Sequence, residues 1–146
     1  MACGSSSYTG RSVVRYYNNA SQALTAGAAT TLTLAGSKVV NSGAAISVQP
    51  GSYEILRTGI YHVSADVTVT GAAAGEFDLQ WYMDGVPLPC TLTKATLANA
   101  YTNQLHTETD LSFKSCCGCV DHTLTLVATP AAAATVTHIC TGIIKE

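Results

Sequence analysis

The sequence predicts an all-β protein built as an antiparallel sandwich or jelly roll. The segment 59–71, GIYHVSADVTVTG, alternates without a break between apolar and polar residues, which is the pattern of a half-buried strand. About eight to ten such runs follow one another with turn signals between them and with no convincing helical periodicity. No connecting segment has the dozen or more residues that a crossover between parallel strands needs. Antiparallel pairing is therefore expected throughout.

The strand at 59–71 is the clearest element of the chain. One of its faces consists of apolar side chains: Tyr61, Val63, Ala65, Val67 and Val69. The opposite face is polar: His62, Ser64, Asp66, Thr68 and Thr70. Because successive strand side chains point to opposite sides, the first face is predicted to enter a core. The second face is left for solvent or for a partner.

The other elements follow from short runs between turn residues. Before residue 59 the strand-like runs are SVVRYY, TTLTLAG, VVNSG, AISVQ and SYEILRTG, and turn signals include Asn18-Asn19 and Pro50-Gly51. After it come EFDLQWYMDG, VPLPC, LHTETDLSF, HTLTLVA and TVTHICTGII. Asp84-Gly85 predicts a tight turn, and the prolines at 87 and 89 favour an edge or irregular strand. Residues 91–103 are predicted to form a loop.

The length of the chain fits one domain, and its low charge favours an oligomer. With 146 residues and 15.1 kDa, a division into two domains would leave each with too small a core. We expect a Gly/Ser-rich N-terminal arm or anchor at residues 1–12 and one domain at residues 13–146. Only 11% of the residues are charged, roughly half the usual fraction. Either the surface is rich in Thr, Ser and Ala, or much of it is buried against other copies, and we favour the second explanation.

Charge and hydropathy argue against two classes of partner. The net charge is −2 and the Lys and Arg residues are scattered, so nucleic-acid binding is not expected. No apolar run approaches the roughly 20 residues that span a bilayer, so no membrane insertion is expected. The N-terminus lacks a basic region followed by an apolar one, so we expect no signal peptide and synthesis in the cytoplasm. Reduced thiols are then the default for the six cysteines.

Several segments carry a resemblance to a known family. The Gly-Ile-Tyr opening of the strand at 59–71, the FDLQWYMDGVPLP strand–turn–strand, the HTLTLVATP strand and the final TVTHICTGIIKE are similar to the tumour-necrosis-factor-like jelly roll. The same fold forms complement-type globular heads and the heads of collagen-like bacterial surface proteins. The resemblance covers residues 13–146. It is strongest to stand-alone versions in bacteriophage virions, such as head fibres, decoration proteins and fibre tips.

The resemblance implies a compact homotrimer in which one sheet packs around a threefold axis. The terminal strand supplies the candidate interface residues, which alternation places on one face: Val136, His138, Cys140 and Ile144. Ile139 and Ile143 fall on the other face. Apolar side chains on both faces are expected of a strand that is buried on two sides.

The function implied is that of a bacteriophage virion structural protein. Its partners would be its own copies, other virion proteins reached through the N-terminal arm, and a glycan or protein of the host surface. The expected location is the virion. The alternative is a bacterial surface or spore-coat head domain used for adhesion, although the collagen stalk of such proteins is missing from this sequence.

The local cluster that most resembles a metal site consists of Cys116, Cys119 and His122. Two cysteines separated by two residues resemble half of a zinc site, and His122 follows three residues later. A tetrahedral site would need a further ligand, such as Cys90 or Cys140. Disulfides and free thiols in a turn between strands are the other interpretations, and free thiols are favoured. We therefore predict no metal and no cofactor.

Catalytic activity is not expected. Glu108 and Asp110 share a strand face, but alternation on an exposed strand produces such a pair without any catalytic purpose. The histidines His62, His106 and His138 fall in predicted strands, where a hydrogen-bonded sheet histidine is the commoner outcome. No Gly-x-Ser-x-Gly, His-Glu-x-x-His or phosphate-binding glycine loop occurs.

Exposed tyrosines are the best candidates for surface binding. Tyr16, Tyr17 and Tyr101 can stack on sugars or anchor a protein interface. One of the first two must face away from the core if they lie in a strand. Packing within a trimer is the alternative role for these rings.

Overall fold

The computed structural model describes residues 11–146, which form thirteen strands in two antiparallel sheets and contain no helix. The all-β antiparallel prediction is confirmed. The strands are β1 (Ser12–Asn18), β2 (Gln22–Leu24), β3 (Thr30–Thr31), β4 (Ser37–Ser42), β5 (Ile46–Gln49), β6 (Ser52–Arg57), β7 (Gly59–Gly71), β8 (Gly75–Met83), β9 (Val86–Pro87), β10 (Thr93–Leu97), β11 (Thr102–Phe113), β12 (Cys119–Pro130) and β13 (Ala134–Lys145).

The two sheets have similar sizes and different central strands. The first sheet has the order β11-β7-β13-β1-β4, with β2 paired to one end of β13. The second has the order β10-β8-β12-β6-β5, with β3 on β12 and β9 on β8. Strand β13 is therefore inserted between β7 and β1, and it joins the two parts of the first sheet.

The core fills the space between the sheets and follows strand alternation. The predicted inner face of β7, from Tyr61 to Val69, is buried as expected. The second sheet contributes the largest buried ring, Trp81, and each fully buried large apolar side chain of this kind stabilises the fold by about 1.5–3 kcal/mol. The other large core side chains are Tyr53, Phe77, Leu32, Leu34, Ile55, Leu79, Leu124, Leu126, Ile139 and Ile143.

Two segments differ from the sequence prediction. Part of the predicted loop at 91–103 is strand β10, which pairs with β8. Its sequence, TKATL, has a single large apolar residue, so it is held by backbone pairing and lacks a clear alternation. Conversely, TTLTLAG forms only the two-residue strand β3. Leu32 and Leu34 beyond it are fully buried, and their backbone N–H groups donate to Leu126 and Pro50 carbonyls at 2.9 and 2.8 Å.

The face assigned to Val136 was wrong. The pairing of β13 with β7 shifts register between Val136 and His138, which marks a β-bulge. The extra residue inverts the alternation, so Val136 lies fully buried in the core with Ile139 and Ile143. His138, Cys140 and Ile144 remain half-buried on the opposite side. Val136 is therefore unavailable for contact with another copy.

Most of the expected N-terminal arm lies outside the described residues. Arg11 and Ser12 are described, and Ser12 already belongs to β1, where its hydroxyl accepts a hydrogen bond from the Ala45 N–H at 3.1 Å. In the described part of the chain, no helix has the length and apolar character needed to cross a membrane.

Candidate functional site

The outer face of the first sheet, on the side away from the core, carries a cluster of five titratable side chains. They are Asp66 and His62 of β7 and His106, Glu108 and Asp110 of β11. We call this set the histidine–carboxylate row. All five are at least partly exposed, with about a third to two thirds of each side chain accessible to solvent.

The pairing register creates the row. Strands β7 and β11 place Asp110 opposite His62, Glu108 opposite Ser64, and His106 opposite Asp66. Side chains directly opposite each other on one face of an antiparallel pair are in contact range. Each histidine therefore meets an aspartate across the strands. The small Ser64 side chain leaves the middle of the row to the Glu108 carboxylate.

The contacts are continuous from one end of the row to the other. His62 Nδ1 lies 2.7 Å from Asp110 Oδ1, and His106 Nδ1 lies 2.8 Å from Asp66 Oδ1. The Nε2 atoms of the two rings converge on the same oxygen, Glu108 Oε2, at 3.1 and 3.4 Å. A single glutamate oxygen thus connects two histidine–aspartate pairs.

These contacts favour the protonated form of both rings. The hydrogen bond to Asp110 is the main reason that the pKa of His62 is raised, and Glu108 adds to the effect. The hydrogen bond to Asp66 does the same for the pKa of His106, again with help from Glu108. Slight burial opposes both shifts without cancelling them. The row can therefore take up two protons, one on each ring.

A shallow cavity of about 480 Å³ adjoins the row on the β13 side. Its lining includes Asp66, His106, His138 and Cys140. His138 Nδ1 lies 2.5 Å from Asn19 Oδ1, and its ring stacks on Tyr17 of β1 with centroids 6.5 Å apart. The predicted face of His138 and Cys140 thus borders the row, a proximity that the sequence did not predict.

The predicted tyrosines occupy different environments. Tyr16 packs against the core, and its hydroxyl accepts a hydrogen bond from Asn41 Nδ2 at 3.2 Å. Tyr17 points to the outer face. Tyr101 is 68% exposed and lies between β10 and β11. Of the three, Tyr101 offers the most open ring to a ligand.

The cysteine cluster lies in an exposed turn before β12. Cys116 and Cys117 are free thiols as expected, but the expectation of a reduced thiol was wrong for Cys119, which is disulfide-bonded. His122 Nδ1 contacts Asp84 Oδ2 at 2.7 Å. Within residues 11–146, no group of three or more His, Cys, Asp or Glu side chains has an arrangement that could hold a metal ion. The candidate ligands Cys116, Cys119 and His122 are thus not gathered around one point.

The two sheets and their strand order define the class of protein. The fold is the tumour-necrosis-factor-like jelly roll, which is also that of complement-type globular heads. The predicted resemblance is confirmed at the level of the fold. No family model matches the sequence, and no curated protein matches it.

Three solved structures illustrate the similarity. Murine APRIL at pH 8.0 is 14% identical with a TM-score of 0.62, and the match covers 94% of this chain and 100% of that chain. The PRD1 vertex protein P5 is 12% identical with a TM-score of 0.66, and the match covers 92% and 96%. The globular domain of the zebrafish complement 1qA protein is 9% identical with a TM-score of 0.59, and the match covers 90% and 94%. At these identities, the likeness establishes the fold.

Proposed function

We propose that this protein is a homotrimeric structural head protein of a bacteriophage virion, where it acts by self-assembly and surface binding. The observation that carries the proposal is the fold match to the PRD1 vertex protein P5, which extends over nearly the whole of both chains. A capsid decoration protein, a head fibre and a fibre tip all fit this role. The proposal includes no enzymatic step and no cofactor.

The surface composition supports self-association. Only 11% of the residues are charged, and the outer face of the first sheet bears apolar side chains next to the histidine–carboxylate row. Ile60 is 50% exposed on β7, and Ile144 is half-buried on β13. Contact with other copies would remove this apolar surface from water, at about 25 cal/mol for each Å² buried. In this proposal the outer face packs around the threefold axis that the family resemblance implies.

The remaining surface is assigned to attachment and recognition. Residues 1–12 attach the head to other virion proteins, and the exposed ring of Tyr101 contacts a glycan or protein of the host surface. Tyrosine is suited to this role because its ring stacks while its hydroxyl stays hydrated. Replacing Tyr101 with Ala is expected to reduce binding of the purified protein to host cells without changing its oligomeric state.

A bacterial surface or spore-coat head used for adhesion is the second candidate. The fold matches to murine APRIL and to zebrafish complement 1qA favour a general binding head as much as a virion component. Location separates the two candidates. Mass spectrometry of purified virions is expected to detect this chain, and its presence on cell or spore surfaces with absence from virions would contradict the phage proposal.

The oligomeric state has a direct test. Light scattering of the purified full chain is expected to give about three times the chain mass of 15.1 kDa. A stable species of 15.1 kDa at micromolar concentration would contradict the trimer.

A further inference from the structure

Charge is segregated across the outer face of the first sheet. The three carboxylates of the histidine–carboxylate row lie on β7 and β11, at one edge of the sheet. Arg15 lies on β1, separated from β7 by β13. The outer-facing β13 residues between them carry no fixed charge: His138, Cys140, Gly142 and Ile144. The carboxylates and the Arg15 guanidinium therefore lie on opposite sides of an uncharged strand.

The strand register aligns the two charges. Glu108 pairs with Ser64, Ser64 with Gly142, and Gly142 with Arg15. Glu108 and Arg15 are therefore three strand spacings of about 4.8 Å apart, which is roughly 14 Å. A side chain added at Gly142 would meet Arg15 Nη2 at 3.5 Å, so the guanidinium lies over this glycine.

Arg15 has no carboxylate partner within residues 11–146. Its only side-chain hydrogen bond in this range goes from Nη1 to Cys140 Sγ at 3.9 Å, a long contact to a weak acceptor. The side chain is exposed. A guanidinium with five donors is thus free to bind a carboxylate on another molecule.

A contact between different parts of one surface is what cyclic oligomers require. In a heterologous interface, one patch of a copy meets a different patch of the next, and the contacts form a ring if the rotation closes. The carboxylates at the β11 edge and the Arg15 guanidinium on β1 of the same face are complementary under such a rotation. The cavity lined by Asp66 and His106 opens the row to an incoming side chain from the β13 side.

We propose that Arg15 of one copy docks on the histidine–carboxylate row of the next copy, and that the protonation of His62 and His106 weakens this contact. The proposal rests on the homotrimer of the proposed function and assigns the residues and the regulation of its interface. With neutral rings the row carries three negative charges, and with both rings protonated it carries one. The attraction for a guanidinium is therefore greater at high pH.

The groups that face the two rings determine the pH at which this change occurs. On β7 and β11 these are carboxylates: Asp110 and Glu108 raise the pKa of His62, and Asp66 and Glu108 raise the pKa of His106. Strand β13 faces them with Cys140, Ile144 and His138, none of them a fixed charge. Strand β10 places the Thr93 hydroxyl on the His106 carbonyl, and its Lys94 pairs with Asp78 at 3.3 Å. Association is expected to weaken as pH falls through the two raised pKa values.

A charge swap in the full chain tests the contact. Dissociation constants are measured by light scattering on dilution at about pH 8.5 and about pH 5.5, on either side of the histidine range. Arg15→Glu and Glu108→Arg are each expected to weaken association at the higher pH by about tenfold or more. The double variant is expected to recover most of the loss, because it restores the pair with reversed signs. Arg15→Gln serves as a milder variant, with circular dichroism to check folding.

Control variants come from the second sheet. Glu76→Arg places the same charge reversal at an exposed position of β8, and His122→Gln removes a histidine that also contacts an aspartate. Neither is expected to alter the dissociation constant or its pH dependence. His62→Gln combined with His106→Gln is expected to reduce the pH dependence at least about threefold.

The outcomes separate this inference from the trimer itself. A monomeric wild-type chain at both pH values would overturn both. If the wild type is a trimer and the Arg15 and Glu108 variants have the same dissociation constant as the wild type, the proposed contact is overturned and the trimer is not. Tighter association at low pH would also overturn the contact. That result would indicate instead that the rows of two copies face each other, because protonation reduces the repulsion between their carboxylates.

Discussion

The hydroxyl of Tyr53 and the hydroxyl of Thr141 share a hydrogen bond inside the core and so connect the two sheets. Tyr53 belongs to β6 of the second sheet, and Thr141 belongs to β13 of the first. Both residues are buried. Burial raises the pKa of Tyr53 to about 12, although the hydrogen bond to Thr141 acts in the opposite direction. The pair therefore stays neutral and bonded over the whole physiological range.

Removing one partner of this pair is expected to be costly. Tyr53→Phe leaves the Thr141 hydroxyl unsatisfied in the core, and we expect the free energy of unfolding to fall by about 1–3 kcal/mol. Thr141→Val leaves the Tyr53 hydroxyl unsatisfied with a similar cost. Urea denaturation of both single variants and of the double variant gives the coupling free energy between the two hydroxyl groups. A double variant as unstable as the sum of the two would contradict the hydrogen bond.

Gly71 is predicted to tolerate no side chain. It ends β7, and a Cβ there would lie 2.7 Å from the Ala98 carbonyl oxygen and 3.0 Å from Leu97 Cβ. Because backbone must move to relieve the clash, Gly71→Ala is expected to lower stability by about 1–3 kcal/mol. Gly51→Ala is the matched control, since its nearest neighbour would be at 3.8 Å. Equal melting temperatures for the two variants would show that the backbone at Gly71 yields easily.

The histidine–carboxylate row makes the stability of each chain depend on pH. Because the folded pKa values of His62 and His106 are raised, their stabilisation is fully present below the unfolded value of about 6.5. It is lost as pH rises through the folded values. The double variant His62→Gln/His106→Gln is therefore expected to lose more stability near pH 5.5 than near pH 8.5, by less than about 1 kcal/mol per ring because the groups are exposed.

Two measurements check this dependence. NMR titration is expected to give both ring pKa values above the ordinary histidine value, and Asp110→Asn is expected to lower that of His62. Urea denaturation on either side of the titration gives the stability difference. A larger loss of stability in the double variant at the higher pH would contradict the assignment of raised pKa values to His62 and His106. Protonation of the two rings thus increases the contribution of the row to folding stability while it weakens the proposed contact between chains.

Cys117 is expected to be a reactive thiol of the exposed turn. The backbone N–H of Cys119 and the Ser115 hydroxyl hydrogen-bond to its sulfur and lower its pKa. Iodoacetamide is therefore expected to modify Cys117 at a lower pH than an ordinary thiol of pKa about 8.5. Peptide mass spectrometry measures the rate, with exposed Cys90 as the internal reference. Ser115→Ala is expected to reduce the difference in modification rate between Cys117 and Cys90. Equal modification rates for these two thiols in the wild type would contradict a lowered pKa of Cys117.

The fold was predictable where alternation is strong. The strand at 59–71 was assigned correctly because five apolar positions alternate with five polar ones. Strand β10 was missed because its residues are polar and its pairing with β8 is non-local. The bulge at Val136 was missed because an extra residue inverts alternation without leaving a local signal.

The site was predictable only in part. Alternation placed Glu108 and Asp110 on one face, and it placed His62 and Asp66 on the polar face of another strand. What joins them is the register between β7 and β11, which depends on the packing of the inner faces against the second sheet. Two neighbouring strands with complementary His and Asp spacing would have been the one usable signal in the sequence.

The position of β13 makes the continuity of the first sheet depend on one strand. The ribbon of β11 and β7 and the ribbon of β1 and β4 have no backbone pairing with each other, so a single strand holds them in one plane. A chain shortened before Ala134 would lose the strand that joins these ribbons and also the buried side chains of Ile139 and Ile143. A synthetic peptide with the β13 sequence is expected to restore both, which would turn an intramolecular strand into a separately added component of the assembly.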